Sequence, residues 1–321
     1  METVTHLLSK AFNELGCNTT VFTPQPDNGT VENLSYEVVR TESKIKLIKS
    51  LVSSDVVIAQ GECYKLMWPL LFLKKKTMMV LHTKPRERKG IWRLFDRFFY
   101  DKCDVFAVSN YVKSTSRKPI KGVIPNPYDE ILFSPDPSIS NENRKGILSV
   151  GITEGKGVMD LLFALDMLHR SIDIPEVTLV GTGGCCEEIT SFAKTRSWGH
   201  KIKLVGSLSA LALSKSMNKH KILVVPSKCN EAFGIVALEG LSSNCKLVCS
   251  NDGGLPEAAG PHATIFEKGD IKGLRDALAD VLDSPKLANI SPESSLDFHL
   301  KKHYQLNVAK KYLLELDKIK T

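Results

Sequence analysis

A chain of 321 residues, 42% hydrophobic and 25% charged, is ordinary for a globular protein and long enough for two domains, each with its own core. Its most apolar run, residues 67–73, is about a third of the ~20 residues that span a bilayer, and METVTHLLSK lacks the early basic region and unbroken apolar core of a signal peptide. Eight scattered cysteines without CxxC spacing argue against a cysteine metal site and predict reduced, buried thiols in a cytoplasmic protein.

In chain order, Val4, Leu7, Leu8, Ala11, Phe12 and Leu15 recur at helical spacing, and Gly16 closes that helix. A strand is predicted at 19-TTVF-22. Short buried strands follow at 55-DVVIA-59, 77-TMMVLH-82, 104-DVFAVS-109 and 121-KGVIP-125, with helical patterns between them. The stretch 133-FSPDPSISNENRK-145 is rich in Pro, Ser, Asn and charge and reads as a linker. The alternation then restarts. Strands are predicted at 146–151, 176–181, 201–206, 221–226, 245–250 and 263–266, and helices from 157, at 186–197, at 209–219, around Ala237 and at 270–283. A last amphipathic helix is predicted over 294–319.

Short apolar strands separated by helices predict parallel sheets covered on both faces. The expected fold is therefore α/β: two Rossmann-like, doubly wound domains facing a cleft. The expected bounds are 1–140, joined by part of the helix 294–319, and 141–293. Ligands in such sheets sit beyond the carboxyl ends of the strands.

The charge is localised. Between Lys74 and Lys102 there are ten Lys/Arg against Glu87, Asp96 and Asp101, which equals the whole net charge of +7. Trp92, Phe95, Phe98, Phe99 and Tyr100 are interleaved with it. Nucleic acid, an anionic membrane surface or a phosphorylated substrate could each answer such a patch. The stretch matches no recognised nucleic-acid module, so nucleic acid is the weakest of the three.

Gly151, Gly181-Thr182-Gly183 and Pro226-Ser227 each stand where a strand hands over to a loop and then a helix. Glycine there lets a ligand approach the backbone, and the helix start offers N–H groups to an anion. One such glycine also ends strands for steric reasons alone; three in one domain favour a phosphate-bearing ligand. Lys156, in 151-GITEGKGV-158, is either a solvated surface lysine or a point charge on that phosphate. In 231-EAFGIVALEG-240, Glu231 and Glu239 are eight residues apart. Eight helical residues rise about 12 Å and bring the two carboxylates to roughly the same side. Glu231 is expected in the loop before the helix and Glu239 two turns inside. An exposed helix Glu is commonplace, but one at each end of a helix start could hold both carbohydrate units of a nucleotide sugar.

The segment 226-PSKCNEAFGIVALEG-240, followed by 253-GGLPE-257, resembles the signature of glycosyltransferase family 4, whose members are retaining, metal-independent GT-B enzymes using nucleotide-sugar donors. Further matches run in family order: 80-VLH-82, 107-AVSNYVK-113, 123-VIPNPYD-129, 150-VGITEGKGV-158 and 179-LVGTG-183. The resemblance implies that Glu231 bonds the donor sugar and that Phe233, Gly234 and Ile235 offer backbone N–H groups to sugar and diphosphate. It also implies that Glu239 holds the ribose and Lys156 neutralises the leaving diphosphate. Gly151, Gly181 and Ser227 would line the donor site, and His82 would lie near the reacting sugar. Asn126 and Asp129 would shape a loop between the domains. It further implies a UDP- or GDP-linked donor, no cofactor or metal, and a glycan or lipid-linked acceptor in polysaccharide or glycolipid synthesis. Localisation would be cytoplasmic, peripheral on the inner face of the membrane through 74–102. The alternative for that window is that its aromatics pack on the sheet.

Two departures stand out. Residues 1–3 read as the start of the helix that normally follows a first strand and glycine loop, so the N-terminal domain is expected to lack that strand. Ile152 stands where the family has an arginine, leaving Arg86 or Arg88 as substitutes. Two competing readings remain: a GT-B nucleotide-sugar epimerase, and a catalytically silent relative that binds nucleotide sugar or a partner protein.

Overall fold

The computed structural model describes residues 2–25, 34–40, 43–86, 89–283 and 293–319, with 293–294 described in backbone only. Arg88 lies outside the described residues. The chain forms two compact units: Met1–Tyr128 with Lys302–Thr321, and Asp129–Lys301.

The first unit holds six described strands, all parallel: β1 (Thr20–Thr23), β2 (Glu37–Arg40), β3 (Val56–Gln60), β4 (Lys76–Leu81), β5 (Asp104–Ala107) and β6 (Gly122–Val123). They divide into a two-stranded sheet, β1-β2, and a four-stranded sheet, β3-β4-β5-β6. Among the described residues no strand pairs between the two sheets. β4 is buried from Thr77 onward, whereas the edge strand β3 is only half-buried. The 36-YEVVR-40 segment, too short and too charged to stand out in the sequence, becomes β2 by pairing with β1 in register Val21 to Val38.

The predicted single helix 294–319 is two helices, Glu293–Lys301 and Gln305–Asp317. The chain turns at 302–304, where the Tyr128 amide donates to the His303 carbonyl at 3.2 Å. Gln305–Asp317 packs on the first helix, Glu2–Glu14, with Phe12 and Tyr312 meeting edge to face at 5.8 Å. Amphipathic periodicity persists across the turn, so the break is invisible without the tertiary contact.

The second unit carries one six-stranded parallel sheet: β7 (Ile147–Val150), β8 (Val177–Val180), β9 (Ile202–Leu204), β10 (Ile222–Val225), β11 (Lys246–Ser250) and β12 (Ala263–Phe266), in the order β12-β11-β10-β7-β8-β9. Its core, including Ile147, Leu161, Leu165, Leu179, Val224 and Leu274, is fully buried. Each such side chain contributes roughly 1.5–3 kcal/mol of transfer free energy. The strand order reverses between β7 and β10, which makes the carboxyl ends of these two strands the topological switch point of the sheet.

The stretch 133–145 is not a linker but part of the second unit. Phe133 is buried, and Arg144, 4% exposed, donates to the Ser243 carbonyl and to Asn218 Oδ1. Asn218 also accepts from the Asp136 amide at 2.8 Å. A Pro/Ser/Asn-rich composition describes the loop correctly but cannot reveal partners some 80 residues away.

Candidate functional site

The loops after β7 and β10 interlock through backbone contacts that only glycine permits. A Cβ on Gly157 (φ +70°) would fall 1.9 Å from the Pro226 carbonyl oxygen, and one on Gly155 would fall 2.9 Å from Cys229 Cβ. The Lys228 amide donates to the Gly155 carbonyl at 2.8 Å. Gly151 (φ +99°) makes room for the Lys156 stem, and Gly181 lies against Gly151. The glycine punctuation of the sequence thus serves two purposes: it ends strands and it brings two crossover loops together at the switch point.

At this junction the Lys156 ammonium is ion-paired with the Glu231 carboxylate. Ser227, fully buried, donates its hydroxyl to the same Glu231 oxygen at 2.9 Å. The side chains of Lys156 and Glu231 are 34% and 15% exposed, so the pair is partly withdrawn from water yet reachable by a ligand.

Glu231 is fixed through its backbone as well. Asp252, 1% exposed, accepts from the Glu231 amide at 3.0 Å, and the Gly254 amide donates to the Glu231 carbonyl at 2.7 Å. The Lys268 ammonium lies 2.7 Å from Asp252 and donates to Asn230 Oδ1 at 2.9 Å. Asn230 itself adopts φ +59°, a left-handed conformation that asparagine tolerates better than most residues. Asp252, Lys268 and Asn230 were not singled out from the sequence. The one signal was 251-ND-252 standing directly before 253-GGLPE-257.

The helix Ile235–Ser242 begins from Gly234 (φ 97°, ψ 55°) with no side-chain cap, and Val158–Leu168 begins from Gly157 likewise. Ser109 and Ser209 cap their helices through the Val112 and Ala212 amides, whereas the helices that begin after Gly90, Cys185 and Gly254 are uncapped like these two. Uncapped starts leave first-turn N–H groups and the positive end of the dipole for an anion. Phe233 is buried and supports the turn.

Because Glu231 is in a loop and the helix starts at Ile235, the eight-residue spacing is only half helical. Glu239 lies one turn inside the helix, not two. It is partly buried, and that burial, with Asp129 adding repulsion, pushes its carboxyl up to about 7.

Ile152 is buried in the core, so this position supplies no cation. Lys228, on the β10 loop, is paired with Asp160 at 3.0 Å. Lys156, Lys228 and Lys268 are therefore each matched by a carboxylate, and this constellation is close to neutral before any ligand arrives.

In the first unit, His82 follows β4 and is 9% exposed. Its Nε2 is 2.6 Å from Gln60 Oε1 at the end of β3. Burial lowers its pKa to about 4, so the ring is neutral at physiological pH. Asn126 is buried and its carbonyl bonds His303, while Asp129 Oδ1 accepts from the Leu132 amide at 3.0 Å. Arg86 offers its backbone amide to Glu62 at 3.3 Å.

Comparison with known proteins places this geometry in context. The 27% identical stretch shared with the uncharacterized glycosyltransferase MJ1178 of Methanocaldococcus jannaschii covers 61% of this chain and 54% of that one. A glycogen synthase of Mycobacterium tuberculosis is 34% identical over 145 residues, 44% of this chain and 35% of its own. The chain thus spans about half or less of the length of these curated relatives. Among solved structures, a glycosyltransferase from Rickettsia africae superposes with TM-score 0.81 at 17% identity, covering 99% of this chain and 93% of its own. Anabaena Alr3699/HepE, solved in complex with UDP, superposes with TM-score 0.83 at 16% identity, covering 99% and 96%. At such identities these neighbours establish the fold: two Rossmann-like units of the GT-B kind. The profile described as glycosyl transferases group 1 matches residues 132–293, just over half of the chain and nearly the whole second unit, and the protein belongs to that family.

Proposed function

We propose that this protein is a retaining glycosyltransferase. It moves a sugar from a UDP- or GDP-linked donor to a glycan or lipid-linked acceptor in polysaccharide or glycolipid synthesis. The observation that carries the proposal is the Lys156–Glu231 pair at the β7/β10 switch point, beside a helix start without a side-chain cap. Binding of Anabaena Alr3699/HepE to UDP and to UDP-glucose supports the choice of ligand class.

The pair suggests how the donor engages. The diphosphate takes the Lys156 ammonium and the first-turn N–H groups of Ile235–Ser242. Glu231, released from Lys156 but still held by Ser227 and Asp252, accepts hydrogen bonds from the sugar hydroxyls. Glu239 accepts from the ribose. As the bond between the anomeric carbon and the phosphate oxygen breaks, its electron pair stays on the diphosphate, where Lys156 and the helix start stabilise it. The acceptor oxygen bonds the anomeric carbon on the same face, and its proton passes to the departing phosphate oxygen. This route invokes no metal. His82, neutral and tied to Gln60, can offer a hydrogen-bonding group and not a cation.

Calorimetric titration with UDP-glucose and GDP-mannose, with release of nucleoside diphosphate as the second readout, tests the proposal. Binding to one donor, release of its diphosphate, and loss of release in Glu231→Ala and Lys156→Ala are expected. Failure to bind any nucleoside diphosphate sugar would refute it. Binding without release under any acceptor would favour the silent relative, a reading supported by Ile152 and by the self-neutralised lysines.

A further inference from the structure

The carboxyl ends of β3 and β4 carry a chain of polar groups that reaches the C-terminal helix Gln305–Asp317. Gln60 is the last residue of β3, and its Oε1 lies 2.6 Å from His82 Nε2. An amide oxygen only accepts, so in the neutral ring Nε2 carries the proton and Nδ1 keeps its lone pair. The same Gln60 side chain is hydrogen-bonded to the Tyr312 hydroxyl. Burial raises the pKa of that phenol, and the Gln60 bond opposes the rise, as an N–H donated to the phenol oxygen does. Gln60 thus gives its N–H to Tyr312 and its oxygen to His82, and only one orientation of the amide satisfies both.

Both ends of this chain are anchored. Tyr312 is 1% exposed, and its ring meets Phe12 of the first helix edge to face. Asn126, 7% exposed, is a further polar neighbour of the His82 ring. Its carbonyl lies 3.4 Å from His303 Nδ1, in the turn before Gln305–Asp317. Its Oδ1 has no hydrogen-bond partner among the described residues. A polar cluster that served only to satisfy buried groups would leave no such acceptor, because an unsatisfied buried oxygen costs more than a hydrogen bond returns. An acceptor of this kind near the ring calls for a donor from outside the chain.

We propose that Gln60 and Tyr312 are positioning residues for His82. They hold the ring in its Nε2–H tautomer, so that Nδ1, together with Asn126 Oδ1, accepts hydrogen bonds from carbohydrate hydroxyls. Tyr312 acts through Gln60, and Gln60 acts through His82; neither is assigned contact with substrate. A helix from the far end of the chain thereby sets the polarity of a ring at the end of β4. A hydroxyl is the ligand group that fits, because both acceptors are neutral and a charged donor would lose its hydration at a buried site. The tautomer is independent of the reaction; the use of Nδ1 during turnover rests on the sugar transfer proposed above.

Long-range proton–nitrogen correlation spectra of the full chain, labelled at histidine, read the tautomer of each ring, and the His82 signals are those lost in His82→Asn. At neutral pH His82 should show a protonated Nε2 and an unprotonated Nδ1. Gln60→Leu removes the acceptor, and Tyr312→Phe leaves the amide free to turn over. Each should shift the tautomer ratio about fivefold toward Nδ1–H, the effect of one lost hydrogen bond. Tyr312→Phe keeps its ring against Phe12, so it tests the relay in a folded protein even if Gln60→Leu unfolds. Release of nucleoside diphosphate from UDP-glucose or GDP-mannose, whichever the native chain turns over, should slow in parallel by about fivefold. Native His82 in the Nδ1–H form, or a tautomer unmoved in Tyr312→Phe and in folded Gln60→Leu, would overturn the positioning role. Turnover unchanged despite a shifted tautomer would overturn the role of Nδ1. The expected tautomers in a chain that turns over neither donor would support the positioning and count against the proposed sugar transfer alone.

Discussion

Glu239 is held at a cost that can be measured. Its carboxyl ionises ordinarily at 4.5, and burial, with Asp129 second, raises this to about 7. For an acid raised in this way, the folded state holds its proton more tightly than the unfolded chain. Below about pH 4.5 both states are protonated and nothing is lost. Between 4.5 and about 7 the unfolded carboxylate ionises first, so stability falls as pH rises. Above 7 the whole penalty is in place. The interval from 4.5 to about 7, at ~1.36 kcal/mol per pH unit, sets an upper figure of ~3 kcal/mol. Water reaching the partly exposed side chain reduces this to ~1–3 kcal/mol.

Glu239→Gln keeps the shape and removes the ionisation. Melting temperatures of both proteins, measured from pH 4.5 to 8, should diverge as pH rises, with the Gln variant gaining ~2–10 °C relative to its difference at pH 4.5. The same variant should bind UDP or GDP ~10-fold or more weakly, since a charged acceptor for two ribose hydroxyls is gone. A melting difference that does not change with pH would refute the desolvation reasoning, and unchanged nucleotide affinity would refute the ribose role.

Three other outcomes follow from the same geometry. Asp252→Ala removes the acceptor for the Glu231 amide and the partner of Lys268 and should destabilise by ~2–3 kcal/mol in denaturant unfolding, whereas Asp252→Asn, which keeps an acceptor, should cost clearly less. Gly253→Ala places a Cβ 2.1 Å from the Glu231 carbonyl at φ +59° and should cost ~2 kcal/mol or more and weaken nucleotide binding, while Gly184→Ala, with open space around it, should be silent in both assays. His82, with its pKa lowered to about 4, should keep a neutral ring in NMR titration from pH 8 to 5; because the unfolded ring protonates first, its contribution to stability is lost as pH falls from 6.5 toward 4. Protonation of His82 near pH 6.5 would contradict its burial.

The alternation of short apolar runs with helical periods fixed the α/β class, most strands within a residue or two and the glycine-marked loops, because strand burial and backbone approach are written in local residue types. The Lys156 turn, the Glu231 loop and 253-GGLPE-257 stand out in the sequence for the same reason, and the structure brings them into contact. Pairing decided the rest. Local pattern does not say that β1 and β2 form a sheet apart from β3–β6, that 133–145 packs through Arg144, or that 302–304 interrupts the last helix, because each depends on a partner far along the chain. Nor could it show that Asp252 and Lys268 hold the Glu231 loop, or that Tyr312 reaches His82 through Gln60. A side chain's environment is set by what folds against it, and only the tertiary structure specifies that.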